Sequence, residues 1–329
     1  MRHSPAGELS KGCAVSSIDS RSTTLVIGAG GRHGGTGSHV AQRLQEQNHT
    51  VRVLVRTEDE RAQRLRALGA QIAVGDLLDR RTLDAAVDGV DTVYFTYPVA
   101  PGVVQAATNL ASAMRAAAST PRLVVMSMAA TAADSPSGLG RAHWAAEEVF
   151  SWAGLEPAVL RIAALFYENI PLLHAESIRR TGGFANSFGA AAMPWISGHD
   201  AADLAVAALI DPDRYPAATT SYPPGAAVHT HAEIAALIAA EIGSPVGYQQ
   251  IPAAQWQRDL EDLARRDTLA TINPEMAQHI SSLGAKFSQN PVAPRLDSTA
   301  LGEAIGHPPQ TFADFIHNHR DRFIEAPTD

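Results

Sequence analysis

The residues with the plainest chemical purpose in this chain are glycines. Gly28, Gly30, Gly31, Gly34, Gly35 and Gly37 crowd into the stretch from Thr23 to Leu44, TTLVIGAGGRHGGTGSHVAQRL. Backbone without side chains can close on a phosphate that a Cβ would hold off. Where a helix starts directly afterwards, its unpaired N–H groups and the positive end of its dipole face the same anion. Two registers of a G-x-x-G-x-x-G spacing fit, Gly28/Gly31/Gly34 and Gly31/Gly34/Gly37. The end of the preceding apolar run favours the first and the start of the helix the second. The loop therefore reads as a few residues longer than usual, with both end glycines in use.

The flanking elements make the motif credible, because a glycine pattern acquires meaning only between a strand and a helix. Thr23-Thr24-Leu25-Val26-Ile27 is β-branched, apolar and uncharged, which suits a buried strand. From Ser38 an amphipathic helix runs to about Gln47, with Asn48 where a left-handed cap is expected. Val51 to Val55 reads as a second strand, and Arg56 stands at its end. In a dinucleotide fold an acidic residue at that place accepts from the ribose of NAD, whereas an arginine accommodates the extra phosphate of NADP. Arg32, in the glycine loop, would add a second positive charge.

Strand and helix patterns then alternate. Glu58–Leu68 is a charged helix stopped by Gly69, and Gln71–Val74 a strand leading into Gly75-Asp76-Leu77. Asp76 and Leu77 are expected beside the adenine. A short helix over 82–87 precedes a strand over 91–96, whose exit at Thr96-Tyr97-Pro98 should face the middle of the cofactor. A helix over 102–118, a strand over 121–127, a helix over 141–153 and a strand over 157–161 complete the α/β rhythm. After Arg161 the rhythm breaks. Helices are expected within 166–180 and over 200–209, and Thr230-His231-Ala232-Glu233 is a capping box before an apolar helix ending at Gly243. From Ile251 onward the pattern is mostly helical. The reading is a polar tail over 1–22, a cofactor-binding domain over 23–165 and a smaller lobe over 166–329, the two exchanging segments.

Composition sets bounds on function. The 329 residues are 45% apolar, a globular value, and carry a net charge of −8, which argues against nucleic acid as a partner. One cysteine, Cys13, gives no internal disulfide framework and fits a reducing compartment. No apolar run reaches membrane-spanning length. A cytoplasmic protein with a small-molecule substrate, as monomer or homodimer, is expected. His229-x-His231 lacks a matching third ligand, so no metal is expected. Ser135 and Ser137 lack the strand–turn–helix surroundings of a nucleophile elbow.

Taken together, these stretches resemble the NmrA-like branch of the atypical short-chain dehydrogenase/reductases. LVIGAGGRHGGTGSHVAQRL is similar to that family's glycine loop with an insertion, and VRVLVR to its second strand and NADP-selecting arginine. AVGDLLDRRTLDAAVDGVDTVYFTYP is similar to its adenine-side stretch, and HWAAEEVFSWAGLEPAVLRIAALFYENI to a helix and strand ending in a Glu-Asn segment. HTHAEIAALIAAEIG and LGEAIGHPPQTFADFIHNHRDRF resemble its C-terminal helices. The resemblance implies a doubly wound parallel sheet of the Rossmann type with a mostly helical substrate lobe, and NADP(H) as cofactor.

It also exposes a departure. Many reductases of the wider superfamily carry Tyr-x-x-x-Lys on the helix after the fifth strand, the tyrosine giving a proton and the lysine lowering its pKa and holding the ribose. Aligning on Ala146-Glu147 puts Leu139 at the tyrosine position and His143 at the lysine position. His143 is then the local candidate for a relay or general acid, since an unperturbed imidazole titrates near neutrality. The alternative is a helix histidine bonded to a neighbouring carbonyl. Ser127, ending the fifth strand, is a candidate to bond substrate or nicotinamide. Tyr97, Phe166, Tyr167, Asn169 and Trp195 are candidates for the substrate pocket. The favoured expectation is an NADP(H)-dependent oxidoreductase passing hydride to a small quinone, enone, imine or related carbonyl substrate. An NADPH/NADP-sensing regulator and a non-redox isomerase using His143 are the alternatives.

Overall fold

The computed structural model describes residues 22–29, 35–266, 271–289 and 298–324. The N-terminal tail and Gly30, Gly31, Arg32 and Gly34 lie outside the described residues. The first half of the chain forms β1 (Thr23–Val26), α1 (Thr36–Glu46), β2 (Thr50–Val55), α2 (Glu60–Ala67), β3 (Gln71–Val74), α3 (Asp84–Val87), β4 (Thr92–Phe95), α4 (Val103–Ala116), β5 (Arg122–Met128), α5 (Gly138–Trp152) and β6 (Ala158–Ile162). There follow β7 (Leu165–Phe166), α6 (Asn169–Thr181), β8 (Gly183–Asn186), β9 (Met193–Ile196), α7 (Gly198–Ile210), β10 (Thr219–Ser221) and β11 (Ala227–His229). The chain continues through α8 (His231–Ile242), β12 (Gly247–Gln250), α9 (Ala253–Arg266), α10 (Pro274–Gln289), α11 (Ser298–Ile305) and α12 (Phe312–Asn318).

Among the described residues, seven strands form one sheet in the order β10-β6-β5-β4-β1-β2-β3. Every pairing in it is parallel. A parallel sheet is covered on both faces, and for that reason its central strands carry buried apolar runs, Leu25–Val26 in β1, Val93–Phe95 in β4 and Leu123–Met126 in β5, while the edge strands β3 and β10 are more polar and exposed. Successive residues still point to opposite sides. Val26, Tyr94, Val124 and Met126 pack with Val40 and Leu44 of α1 and Leu204 of α7. Leu25, Val93, Phe95 and Val125 pack with Leu110 of α4 and Phe150 of α5. Each of these fully buried side chains contributes roughly 1.5–3 kcal/mol relative to an exposed one.

Local signals end the elements where the chain turns. Asn48 adopts φ +64° after α1, and Gly69 φ +102° after α2, the left-handed positions that stop a helix. Asp59 caps α2 and Thr230 caps α8, the latter in a full capping box with Glu233.

Two elements from beyond residue 165 belong to the sheet layer. Helix α7 packs beside α1, and β10 pairs with β6 through Thr219↔Ala158 to Ser221↔Leu160. The remaining lobe is less purely helical than its sequence suggests. It contains a three-stranded sheet, β11-β9-β7, and the pair β12-β8, around a core of Tyr167, Trp195, Phe188, Trp256, Phe312 and Phe315. No helix among the described residues is long and apolar enough to cross a membrane.

Candidate active site

The strand order reverses between β1 and β4, with β2 and β3 laid down on one side and β5, β6 and β10 beyond β4 on the other. Ligands of open α/β sheets bind outside the strand ends at such a switch point. Gly28 leaves β1 there with φ +90°, and a Cβ on it would overlap the Thr96 side chain at the exit of β4. Gly37, in the first turn of α1, is as tightly placed: a Cβ would lie 2.5 Å from the Gly28 carbonyl carbon and 2.6 Å from Ala29 N. The structure thus brings Gly28, Gly37 and Thr96 into one backbone-to-backbone junction. Gly35 precedes α1 with φ +60° and supplies no side-chain cap, and no acidic residue occupies the first turn. The leading N–H groups of α1 therefore lack the side-chain acceptor that Asp59 gives α2, which is the donor set an oxyanion needs.

Beneath this junction lies a residue the sequence reading passed over. Tyr94 of β4 is fully buried, with its hydroxyl 3.3 Å from Met126 Sδ and within hydrogen-bonding reach of the Thr36 and Thr96 side chains. Burial pushes its pKa upward, so it stays a neutral donor tying α1, β4 and β5 together under the loop. A tyrosine inside the otherwise apolar strand TVYF was the available signal.

Arg56 follows β2 with its side chain exposed, and Asp76 follows β3. Both act on Tyr97, at the exit of β4. Burial raises the Tyr97 pKa, the Asp76 carboxylate adds to the rise and the Arg56 guanidinium opposes it. The three therefore share one rim. Asp76 Oδ1 accepts from Leu78 N at 2.9 Å, and Leu77 O accepts from Asn109 Nδ2 at 2.8 Å, which fixes the turn at the end of β3. Tyr97 itself donates to Pro101 O at 3.3 Å.

At the other end of the crevice several expectations need correction. Ser127 is buried, and its Oγ lies 3.2 Å from Thr131 Oγ1, a contact that braces the exit of β5. His143 is buried on α5, and burial pushes its pKa down to about 4. A ring held neutral at pH 7 has no imidazolium proton to give, so burial opposes the general-acid role expected for it. Its Nε2 is buried without a hydrogen-bond partner, and so is Oδ1 of Asn169 at the start of α6. Tyr167 and Trp195 are core residues, not pocket walls. Tyr167 is 0% exposed, donates to Gln310 O at 3.1 Å and packs against Phe312 and Phe315, while Trp195 is 1% exposed and donates to His229 O at 3.1 Å. Phe166 is half-buried on β7 and packs against the sheet-side core.

Glu168 was also missed as a site of its own. Both of its carboxylate oxygens accept from Gly198 N, at 2.9 and 3.2 Å, at the start of α7. Burial, with the nearby Asp200 adding, pushes its pKa up to about 7.

Comparison with known proteins settles the ancestry of this arrangement. A model of the NmrA-like family matches residues 20–290. The chain belongs to the NmrA-like family. This NmrA-like chain is 31% identical over 310 residues to the NAD(P)H azoreductase of Xenophilus azovorans, covering 92% of the chain and 99% of that enzyme. Among solved structures it is similar to an NADPH-dependent quinone oxidoreductase of Escherichia coli in complex with NADPH, with TM-score 0.74, 22% identity, 90% of this chain and 99% of that one covered. It is also similar to NmrA, a negative transcriptional regulator, in complex with NADP, with TM-score 0.70, 14% identity and 91% and 95% coverage. At those identities the two structures speak for the fold.

Proposed function

We propose that the protein is an NADPH-dependent reductase of small, largely apolar acceptors carrying a conjugated double bond to a heteroatom: quinones, enones, imines and azo compounds. The observation that carries the reading is the junction of Gly28, Gly37 and Thr96 below an uncapped helix N-terminus at the sheet's switch point. The azoreductase relative supports the reaction class, and adds the azo bond, the nitrogen analogue of an imine, to the acceptors named above.

Bound NADPH would supply the hydride. The leading N–H groups of α1 bind the pyrophosphate, and Gly28 and Gly37 let α1 pack closely enough on the strand exit to present them there. Arg56, with Arg32 from outside the described residues, holds the ribose phosphate, and this sets NADPH above NADH. Asp76 and Leu77 flank the adenine, and Thr96 the middle of the cofactor. His143, neutral at working pH, offers Nε2 as a hydrogen-bonding partner to the ribose from the position of the missing lysine. Tyr97, Phe166 and Asn169 border the acceptor. Hydride addition to a quinone leaves an oxyanion that takes its proton from water, so no buried acid is required. The non-redox alternative needs His143 to exchange protons near neutrality, which its burial opposes.

The test is one titration series. NADPH fluorescence with purified protein should show saturable binding, and absorbance should fall when menadione or an azo dye is added, much more slowly with NADH. Absence of NADPH binding would end the proposal.

A further inference from the structure

Helix α10 belongs to the lobe, yet its polar side chains reach across to both loops that leave the sheet on the acceptor side. Asn273, just before α10, donates from Nδ2 to Val99 O at 2.8 Å in the loop between β4 and α4, while its Oδ1 accepts from Met276 N at 2.9 Å. One turn further on, Gln278 brackets the segment between β5 and α5. Its Oε1 accepts from Gly138 N at 3.0 Å, and its Nε2 donates to Pro136 O at 3.1 Å. The next residue, His279, places Nδ1 2.6 Å from Ser137 Oγ, the hydroxyl that caps α5 through Gly140 N at 3.0 Å. On the lobe side α10 is anchored in turn. Ser187 donates to Ser281 O at 3.1 Å, and a Cβ on Gly284 would overlap the Ser187 hydroxyl.

These bonds have a common target. Val99 O and the Pro136–Gly138 backbone lie in the two loops that follow Thr96 and Ser127, and α5, which carries His143, begins within the second. The loops come from different strands, and α10 is joined to both by side-chain hydrogen bonds. A backbone carbonyl and N–H gripped by one carboxamide have little freedom to slide, because both partners must be kept at once.

We propose that Asn273 and Gln278 are positioning residues, which fix the separation of the β4–α4 and β5–α5 loops and so the distance between bound nicotinamide and acceptor. The proposal rests on the reading of the site as an NADPH-dependent reductase. Hydride transfer needs the reacting atoms about 3–3.5 Å apart, and a misplacement of about 1 Å can lower the rate on the order of a hundredfold. Neither residue needs to touch substrate, because each acts through the loop it holds.

Two near-isosteric variants separate positioning from folding. Asn273→Asp keeps the acceptor for Met276 N and loses the donor to Val99 O; Gln278→Glu keeps the acceptor for Gly138 N and loses the donor to Pro136 O. Glu275→Gln, an exposed change on the same helix, is the control. The readouts are NADPH Kd, thermal melting, kcat and KM with menadione, and the fluorescence lifetime of bound NADPH at saturation. The expected result is NADPH Kd within about twofold of the parent, kcat lower by tenfold or more in both variants, and a shortened lifetime from a looser nicotinamide. Unchanged kcat and lifetime in both overturn the proposal. If the parent binds NADPH but reduces no acceptor, the reductase reading fails by itself. The lifetime still decides on positioning: shortened in the variants, it upholds the role of the two residues, and unchanged, it removes it.

Discussion

Gly37 stands directly on Gly28, with the site of its missing Cβ 2.5 Å from the Gly28 carbonyl carbon. A methyl group there has no flexible side chain to displace, only the backbone of the strand exit. Gly37→Ala should therefore push α1 off β1, at a cost of about 1–3 kcal/mol as for other overpacked positions. The variant should melt at lower temperature and bind NADPH at least tenfold more weakly, by fluorescence titration. Parent-like binding would mean that the helix N-terminus does not hold the pyrophosphate.

Arg56 gives a sharper test of cofactor choice because it lies in the exposed rim and not in the core. Loss of a hydrogen bond to a charged group typically costs about 1.5–3 kcal/mol. Arg56→Ala should weaken NADPH binding on the order of tenfold to a hundredfold and leave NADH binding nearly unchanged. Titration of both cofactors against parent and variant measures this directly, and an equal loss for the two would assign Arg56 to something other than the ribose phosphate.

His143 makes a prediction about acid stability. Its folded pKa, near 4, lies below the ordinary value of 6.5, so as pH falls the unfolded chain takes up the proton first. Stability present above pH 6.5 is lost as pH falls toward 4, by up to about 3 kcal/mol. Urea melts at pH 7.5 and 4.5 should show a larger drop for the parent than for His143→Gln. Over pH 6–8 the parent's rate profile should carry no ionisation that disappears in this variant.

Glu168 has the opposite sign. Its folded pKa, raised to about 7 from 4.5, means that the folded chain keeps a proton the unfolded chain has given up. Stability is therefore lost as pH rises from 4.5 through 7, by about 3 kcal/mol at most, and stays lost above. Glu168→Gln keeps an acceptor for Gly198 N without the charge. It should be more stable than the parent at pH 8 and little different at pH 4.5, which denaturant titration at the two values would show.

How much of this was legible in the sequence follows from how local each feature is. The strand and helix that flank the glycine stretch are local, β1 and α1, and Asn48 and Gly69 stop their helices through their own backbone preference, so all were readable. Strands β7 and β10 are only two and three residues long and exist because distant partners pair with them, Trp195 and Ile196 in one case and β6 in the other. Nothing in TTS or LF specifies that. Tyr167 and Trp195 failed as pocket residues for a related reason. An aromatic side chain has the same composition whether it faces a ligand or a core, and here Phe312 and Phe315, far along the chain, close over Tyr167. The grip of Gln278 on Pro136 and Gly138 spans the same kind of distance, and carried no signal in spacing.

The placement of β10 beside β6 also orders events during synthesis. Until Ser221 has left the ribosome, β6 is the outermost strand of a six-stranded sheet, with Ala158 to Ile162 offering unpaired backbone. At the usual elongation rates of about 5–20 residues per second, that interval lasts roughly 3–12 s. An apolar, uncovered strand edge is a template for pairing with another chain. For those seconds the nascent protein is exposed to aggregation and open to chaperones, a hazard that ends when three residues dock.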